Sequence, residues 1–207
     1  MIRTDREYRN IPMNLEIRDA QEGEGDSYKV HGYASTFEPY VLWDDGETKI
    51  FERIMPDAFD KADMSDVIFL VNHEGIPHAR NKNKTMQLSV DEHGLMVDAD
   101  LSLTKASRDA FEAIKAGLLD QMSFAFTVAE DGFDRDTKTR IIHRVAKVYD
   151  VSAVNIPANP GTDIAAVSAR SYVDGVIDAV KTAERLEREK ALELAKAKYK
   201  YMEVEND

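Results

Sequence analysis

Cysteine is absent from the 207-residue chain. Disulfides, thiolate nucleophiles, cysteine-ligated zinc and iron–sulfur clusters are therefore excluded. Glycine and proline are scarce, at ten and six residues, so neither a collagen-like nor a wholly disordered chain is expected. No stretch approaches the roughly 18 apolar residues of a membrane span. The N-terminus, MIRTDREYRN, has no apolar run behind its charges, so no signal peptide is expected. Bases are the minority: 27 Lys and Arg against 39 Asp and Glu leave a net charge of -12. Phosphate backbones repel such a surface, which disfavours nonspecific nucleic-acid binding. Also missing are GxGxxG, a Walker loop, HExxH and zinc-finger spacing, so no nucleotide, cofactor or metal is expected.

What is present is ordinary globular composition, 43% hydrophobic and 32% charged. At 23.4 kDa the chain is sized for one domain plus an appendage. All six prolines precede position 161 and nine of ten glycines precede 162. From about Tyr172 the chain is rich in Ala, Glu, Lys, Arg and Leu, with Val173, Val176, Ile177, Val180, Ala183 and Leu186 at helical spacing. This predicts a domain over 1–170 and a long amphipathic C-terminal helix over 171–207.

Before that helix the pattern is mostly strand. Met13–Arg18, Tyr28–Phe37, Lys49–Ile54, Met86–Val90 and Leu95–Ala99 read as strands, and Pro56–Phe59 as the first turn of a short helix. Val67–Val71 (VIFLV) is a five-residue apolar run, the mark of a deeply packed strand. Thr104–Leu119 is the one clear internal helix, capped by Thr104 or Ser107. Ser123–Ala129 and Arg140–Val145 pair across a polar loop, and Val148–Ile156 is a final strand ending at Pro157. The expected class is mainly β or α+β, a strand-dominated barrel with an inserted helix.

Three residues invite a chemical reading. His73 ends the buried VIFLV strand, where scaffolds present functional side chains; the alternative is a half-buried His bonded to a carbonyl. Ser123 stands between Met122 and Phe124, an odd place for a hydroxyl unless it acts; otherwise it caps a strand. Asp150 interrupts an apolar strand and shares a face with Ser152 and Val154. It either has a partner, faces solvent, or pairs with Lys147 or an arginine. A Ser, a His and an acid on separate strands form a legitimate triad layout, but spacing alone does not establish one. His31, His78, His93 and His143 read as surface, loop or turn residues.

Six segments occur in a distinctive order: GYASTF (32–37), FERIMPDAF (51–59), VIFLVNHE (67–74), MQLSVDEHGLMVDADL (86–101), AGLLDQMSFAFTV (116–128) and YDVSAVNIPANPGTDI (149–164). Over about 12–165 this resembles the tailed-bacteriophage prohead serine proteases, capsid-maturation enzymes related in fold to the herpesvirus assembly protease. The resemblance implies a herpesvirus-protease-like β-barrel with inserted helices. It implies Ser123, in the M-S-F-x-F motif, as nucleophile and His73 as base. Asp150, at the acidic position of an E-V-S-x-V motif, is the implied third member, with Asp where Glu is usual. His143 is the rival third member, because the herpesvirus relatives use a second histidine. Arg80, which remains where relatives have Gly-Arg, is the implied oxyanion helper.

The same resemblance implies the substrates: the scaffolding segment of the major capsid protein and the protease itself. It places the enzyme in the host cytoplasm, packaged inside the prohead, and allows homo-oligomers through the tail. It implies neither nucleic-acid nor membrane partners. Two other classes compete. One is a non-catalytic assembly or scaffolding module of the same fold. The other is a metal-dependent hydrolase using His73 and His78.

Overall fold

The computed structural model describes residues 6–18, 27–155 and 164–204. The chain divides into two units, Met1–Ala169 and Arg170–Asp207. In the first, the strands are β1 (Glu7–Asn14), β2 (Glu16–Arg18), β3 (Lys29–Thr36), β4 (Tyr40–Asp44), β5 (Lys49–Ile54), β6 (Ile68–Val71) and β7 (Glu74–Arg80). They are followed by β8 (Met86–Val90), β9 (Gly94–Asp100), helix α1 (Lys105–Lys115), β10 (Gln121–Asp134) and β11 (Thr139–Val154). Helix α2 spans Ile164–Val204. Among the described residues no helix is long and apolar enough to cross a membrane.

Among the described residues the strands form two sheets rather than the expected barrel. One has seven strands, ordered β1-β10-β11-β5-β4, with β6 bridging β11 and β7; the other has four, ordered β2-β3-β9-β8. The axis of the larger sheet is β11. One edge runs antiparallel to β10 along its length. The other edge is shared by two parallel neighbours, β5 at Thr139–Ile142 and β6 at Asp150–Ala153. This mixed arrangement puts the C-terminal end of β6 beside Asp150–Ala153 of β11, one strand removed from Ser123 on β10. The two strands expected over Arg140–Val145 and Val148–Ile156 are one, kept continuous by register shifts that absorb the break in alternation.

Three further expectations change. Pro56–Lys61 is a run of turns with i→i+3 bonds, such as Ala58 N–H to Met55 O, and does not become a helix. The stretch around His78, Gly75–Lys84, expected to be irregular, is ordered: Glu74–Arg80 forms β7 against β6, and Asn81–Asn83 is a single 3-10 turn. The expected strand at 13–18 divides into the end of β1 and β2, with a register shift between Ile11 and Asn14. Pro157 lies outside the described residues.

Helix α1 begins as its sequence prescribes. The Thr104 hydroxyl accepts the Ser107 N–H at 3.0 Å, while Ser107 Oγ donates to the His78 carbonyl at 2.9 Å, tying the helix start to β7. Its buried Phe111 and Ile114 join a core built from both sheets, including Val30, Leu95, Val97, Met122, Phe124, Phe126 and Val151. The β3–β9 crossing requires Gly94: a Cβ there would lie 1.9 Å from the Ser35 carbonyl oxygen.

The large sheet also buries a charge network that its sequence hides. Arg9 on β1 donates to Glu52 Oε1 on β5 at 2.5 Å and to Glu7 Oε2 at 2.6 Å. Arg140 on β11 donates to Glu7 Oε2 at 2.6 Å, Glu52 Oε2 at 2.9 Å and Asp131 Oδ2 at 2.8 Å. Tyr40 on β4 donates to Glu52 Oε1. Five strands are thus stitched together around the buried side chains of Glu7, Arg9, Glu52 and Arg140.

Candidate active site

The β6–β7 connection is a two-residue hairpin, with Val71 opposite Glu74 and Asn72-His73 between them. Asn72 and His73 have φ values of 52° and 59°. A tight hairpin needs positive φ at both central residues to match strand twist, and Asn-Gly is the favoured pair. Here His73 takes the place that suits glycine, a locally costly choice of the kind that accumulates at functional sites. Two bonds to β11 fix the turn: Asn72 N–H to Ala153 O at 3.0 Å, and His73 N–H to Ser152 Oγ at 3.2 Å.

The surface that receives the imidazole follows from strand alternation. On β10 the large residues Met122, Phe124 and Phe126 enter the core, leaving the small Ser123 and Ala125 on the opposite face. Cross-strand pairing places Asn10 and Ser152 on either side of Ser123, and Tyr8 and Asp150 on either side of Ala125. Ala125 leaves space for a ring between three strands. The Tyr8 ring packs edge-on to His73, with centroids 4.8 Å apart.

His73 joins the other two candidates directly. Its Nδ1 lies 2.5 Å from Asp150 Oδ1 and its Nε2 lies 2.6 Å from Ser123 Oγ. An ionised carboxylate only accepts, so Nδ1 carries the proton and donates it to Asp150. The Nε2 lone pair then accepts from the Ser123 hydroxyl. The odd hydroxyl and the costly carboxylate of the sequence thus share one histidine. Side-chain exposure is 4% for His73 and 3% for Asp150, and Ser123 has no exposed surface.

The other sequence candidates lie elsewhere. Arg80 stands opposite Ile68 at the far end of β6 from His73, and a forked ion pair to Asp66 at 2.6 and 2.5 Å holds its guanidinium. The guanidinium is thus engaged locally, away from the turn that carries His73. His143 is exposed and close to Gly132, at the end of the stretch of β11 beside β5, and is not brought to His73. Lys147 pairs with Asp63 at 2.7 Å and leaves Asp150 to the histidine. Among the described residues no group of three or more His, Asp or Glu gathers to hold a metal.

Two neighbours of the cluster, Ser152 and Tyr8, received no functional role from the sequence. Ser152 carried a usable signal, since it falls two residues after Asp150 on the same strand face. Nothing in the sequence pointed to Tyr8, because its contact depends on the pairing of β1 with β10.

The family described as caudovirus prohead serine protease matches residues 13–175. The prohead protease of Enterobacteria phage HK97 is 29% identical over 160 residues, covering 74% of this chain and 65% of that protein. The chain thus spans just under two thirds of that relative's length. No solved structure matches the chain.

Proposed function

The chain belongs to the caudovirus prohead serine protease family, and from that premise we propose that it is a serine endopeptidase of capsid maturation. The observation that carries this is the unbroken line of hydrogen bonds from Asp150 through His73 to Ser123. In the proposed reaction Ser123 Oγ attacks a peptide carbonyl while His73 Nε2 takes its proton. The imidazolium then returns that proton to the leaving amine, and water repeats the sequence on the acyl-enzyme. Asp150 holds the imidazole in the productive tautomer and stabilises its charged form.

The proposed substrates are the scaffolding segment of the major capsid protein and the protease itself, cleaved inside the prohead in the host cytoplasm. The helical unit after residue 170 serves as a detachable or scaffold-binding appendage, and as the means of self-association. The catalytic domain is related in fold to the herpesvirus assembly protease. Because Ser123 has no exposed surface, a substrate carbonyl reaches it only after the surrounding residues part.

A fluorophosphonate probe tests this nucleophile, applied to the free chain and to the chain assembled with its capsid precursor. The expected result is a single adduct on Ser123 in the assembled sample, absent from His73→Ala. Assembled wild type without an adduct on Ser123, or labelled equally in His73→Ala, would overturn the assignment.

A further inference from the structure

We propose that Ser152 is a positioning residue of the hydrolytic site, tying the turn that carries His73 to the carboxylate that orients it. This rests on the Ser123–His73–Asp150 assignment and adds a fourth side chain. Ser152 is fully buried on β11, directly across from Ser123 on β10 and Leu70 on β6. Its hydroxyl lies 3.2 Å from the His73 backbone nitrogen, 3.1 Å from Asp150 Oδ1 and 3.1 Å from His73 Nδ1.

Hydrogen-bond chemistry assigns each contact. A backbone N–H can only donate, so the His73 amide occupies a lone pair of the Ser152 oxygen. A carboxylate can only accept, so the one Ser152 proton goes to Asp150. Donation to Nδ1 instead would leave an unprotonated ring nitrogen facing Asp150 Oδ1 at 2.5 Å, lone pair against lone pair. With its proton committed to Asp150, the hydroxyl presents a second acceptor to Nδ1–H. Ser152 therefore reinforces the tautomer that leaves Nε2 free to accept from Ser123.

The backbone contact matters equally. His73 sits at φ 59° in a turn that favours glycine. An unanchored turn would relax, and the imidazole would move with it. One hydroxyl thus clamps both the backbone and the ring of the proposed base. A buried serine on a strand need not do this: its hydroxyl is ordinarily satisfied by a nearby carbonyl.

Ser152→Ala and Ser152→Thr test the proposal beside Ser123→Ala, using the full chain. The readouts are thermal midpoint, kcat and KM on a peptide spanning the processed junction, and the low-field imidazole proton resonance of His73. For Ser152→Ala, kcat should fall about 10- to 100-fold, as expected for losing hydrogen bonds to a charged pair, with KM little changed. The His73 resonance should move or broaden while the thermal midpoint stays near wild type. Ser152→Thr, which keeps the hydroxyl, should recover most of the rate and the resonance. Wild-type kcat with an unchanged resonance in Ser152→Ala would overturn the proposal. So would a loss of rate no larger than the loss of folded protein. If Ser123→Ala itself cleaves like wild type, the failure lies in the catalytic assignment and not in Ser152.

Discussion

His73→Ala is expected to slow peptide-bond cleavage by about a millionfold, as far as Ser123→Ala does, with the double variant no slower than either. The reason is geometric. Ser123 Oγ has its base at 2.6 Å, and without that base the hydroxyl cannot shed its proton as it attacks. In the proposed mechanism serine and histidine act as one device, so removing either removes the device. Asp150→Asn should cost less, about ten-thousandfold, because it misdirects the imidazole without deleting it. A carboxamide turned to donate toward Nδ1 would favour the tautomer with the proton on Nε2, pointing it at Ser123. Single-turnover cleavage of the capsid precursor provides the measurement. A His73→Ala rate within tenfold of wild type would contradict the assignment.

Arg140→Leu is expected to destabilise the fold by about 3–5 kcal/mol, because it strands buried carboxylates without their partner. Arg140 has no exposed surface and bonds Glu7, Glu52 and Asp131 at 2.6–2.9 Å. For a chain of this size the loss corresponds to a fall of roughly 6–20 °C in Tm. The same network gives stability a pH dependence. Burial pushes the Glu7 carboxyl up, but hydrogen bonding from Arg140 and the charges of Arg9 and Arg140 outweigh it and hold the group at about 2, against 4.5 ordinarily. Between those values the unfolded chain binds the extra proton. The contribution of Glu7, about 3 kcal/mol, is therefore fully present above about pH 4.5 and lost as pH falls toward 2. Urea unfolding at about pH 7, 4.5 and 3 should show the gap between wild type and Arg140→Leu narrowing with acid. A gap that stays constant would contradict the role assigned to Arg140.

The legible parts of the chain were those whose signals are local. Helix α1 is announced by Thr104 and by the spacing of Ala110, Phe111 and Ile114, and it forms over Lys105–Lys115 with Thr104 as its cap. Period-two alternation correctly put Asp150 and Ser152 on one face of their strand. It also explains Ser123: the large Met122, Phe124, Phe126 and Val128 face the core, and the small Ser123 and Ala125 lie on the opposite face. The illegible parts depend on pairing between distant strands. Nothing near Thr139–Val154 tells that this strand serves β5 with one half and β6 with the other. That division is what defeats the expected barrel. Glu7, Arg9, Glu52 and Arg140 each look like surface charges until the sheet assembles them. The β6–β7 hairpin was hidden because Asn-His stands where Asn-Gly would have announced a turn. Arg80 was misplaced because relatives' loop sequences say nothing of the nearby Asp66 that captures it.

The most direct measurement is the intact mass of both proteins over time when the capsid precursor is co-expressed with wild type or with Ser123→Ala. With wild type, the precursor, and the protease after it, should lose defined segments whose masses give the cleaved bonds. With Ser123→Ala, both chains should keep their full mass inside assembled shells. Wild-type chains that stay intact in those shells, or equal trimming in the presence of Ser123→Ala, would contradict a peptidase built on Ser123, His73 and Asp150.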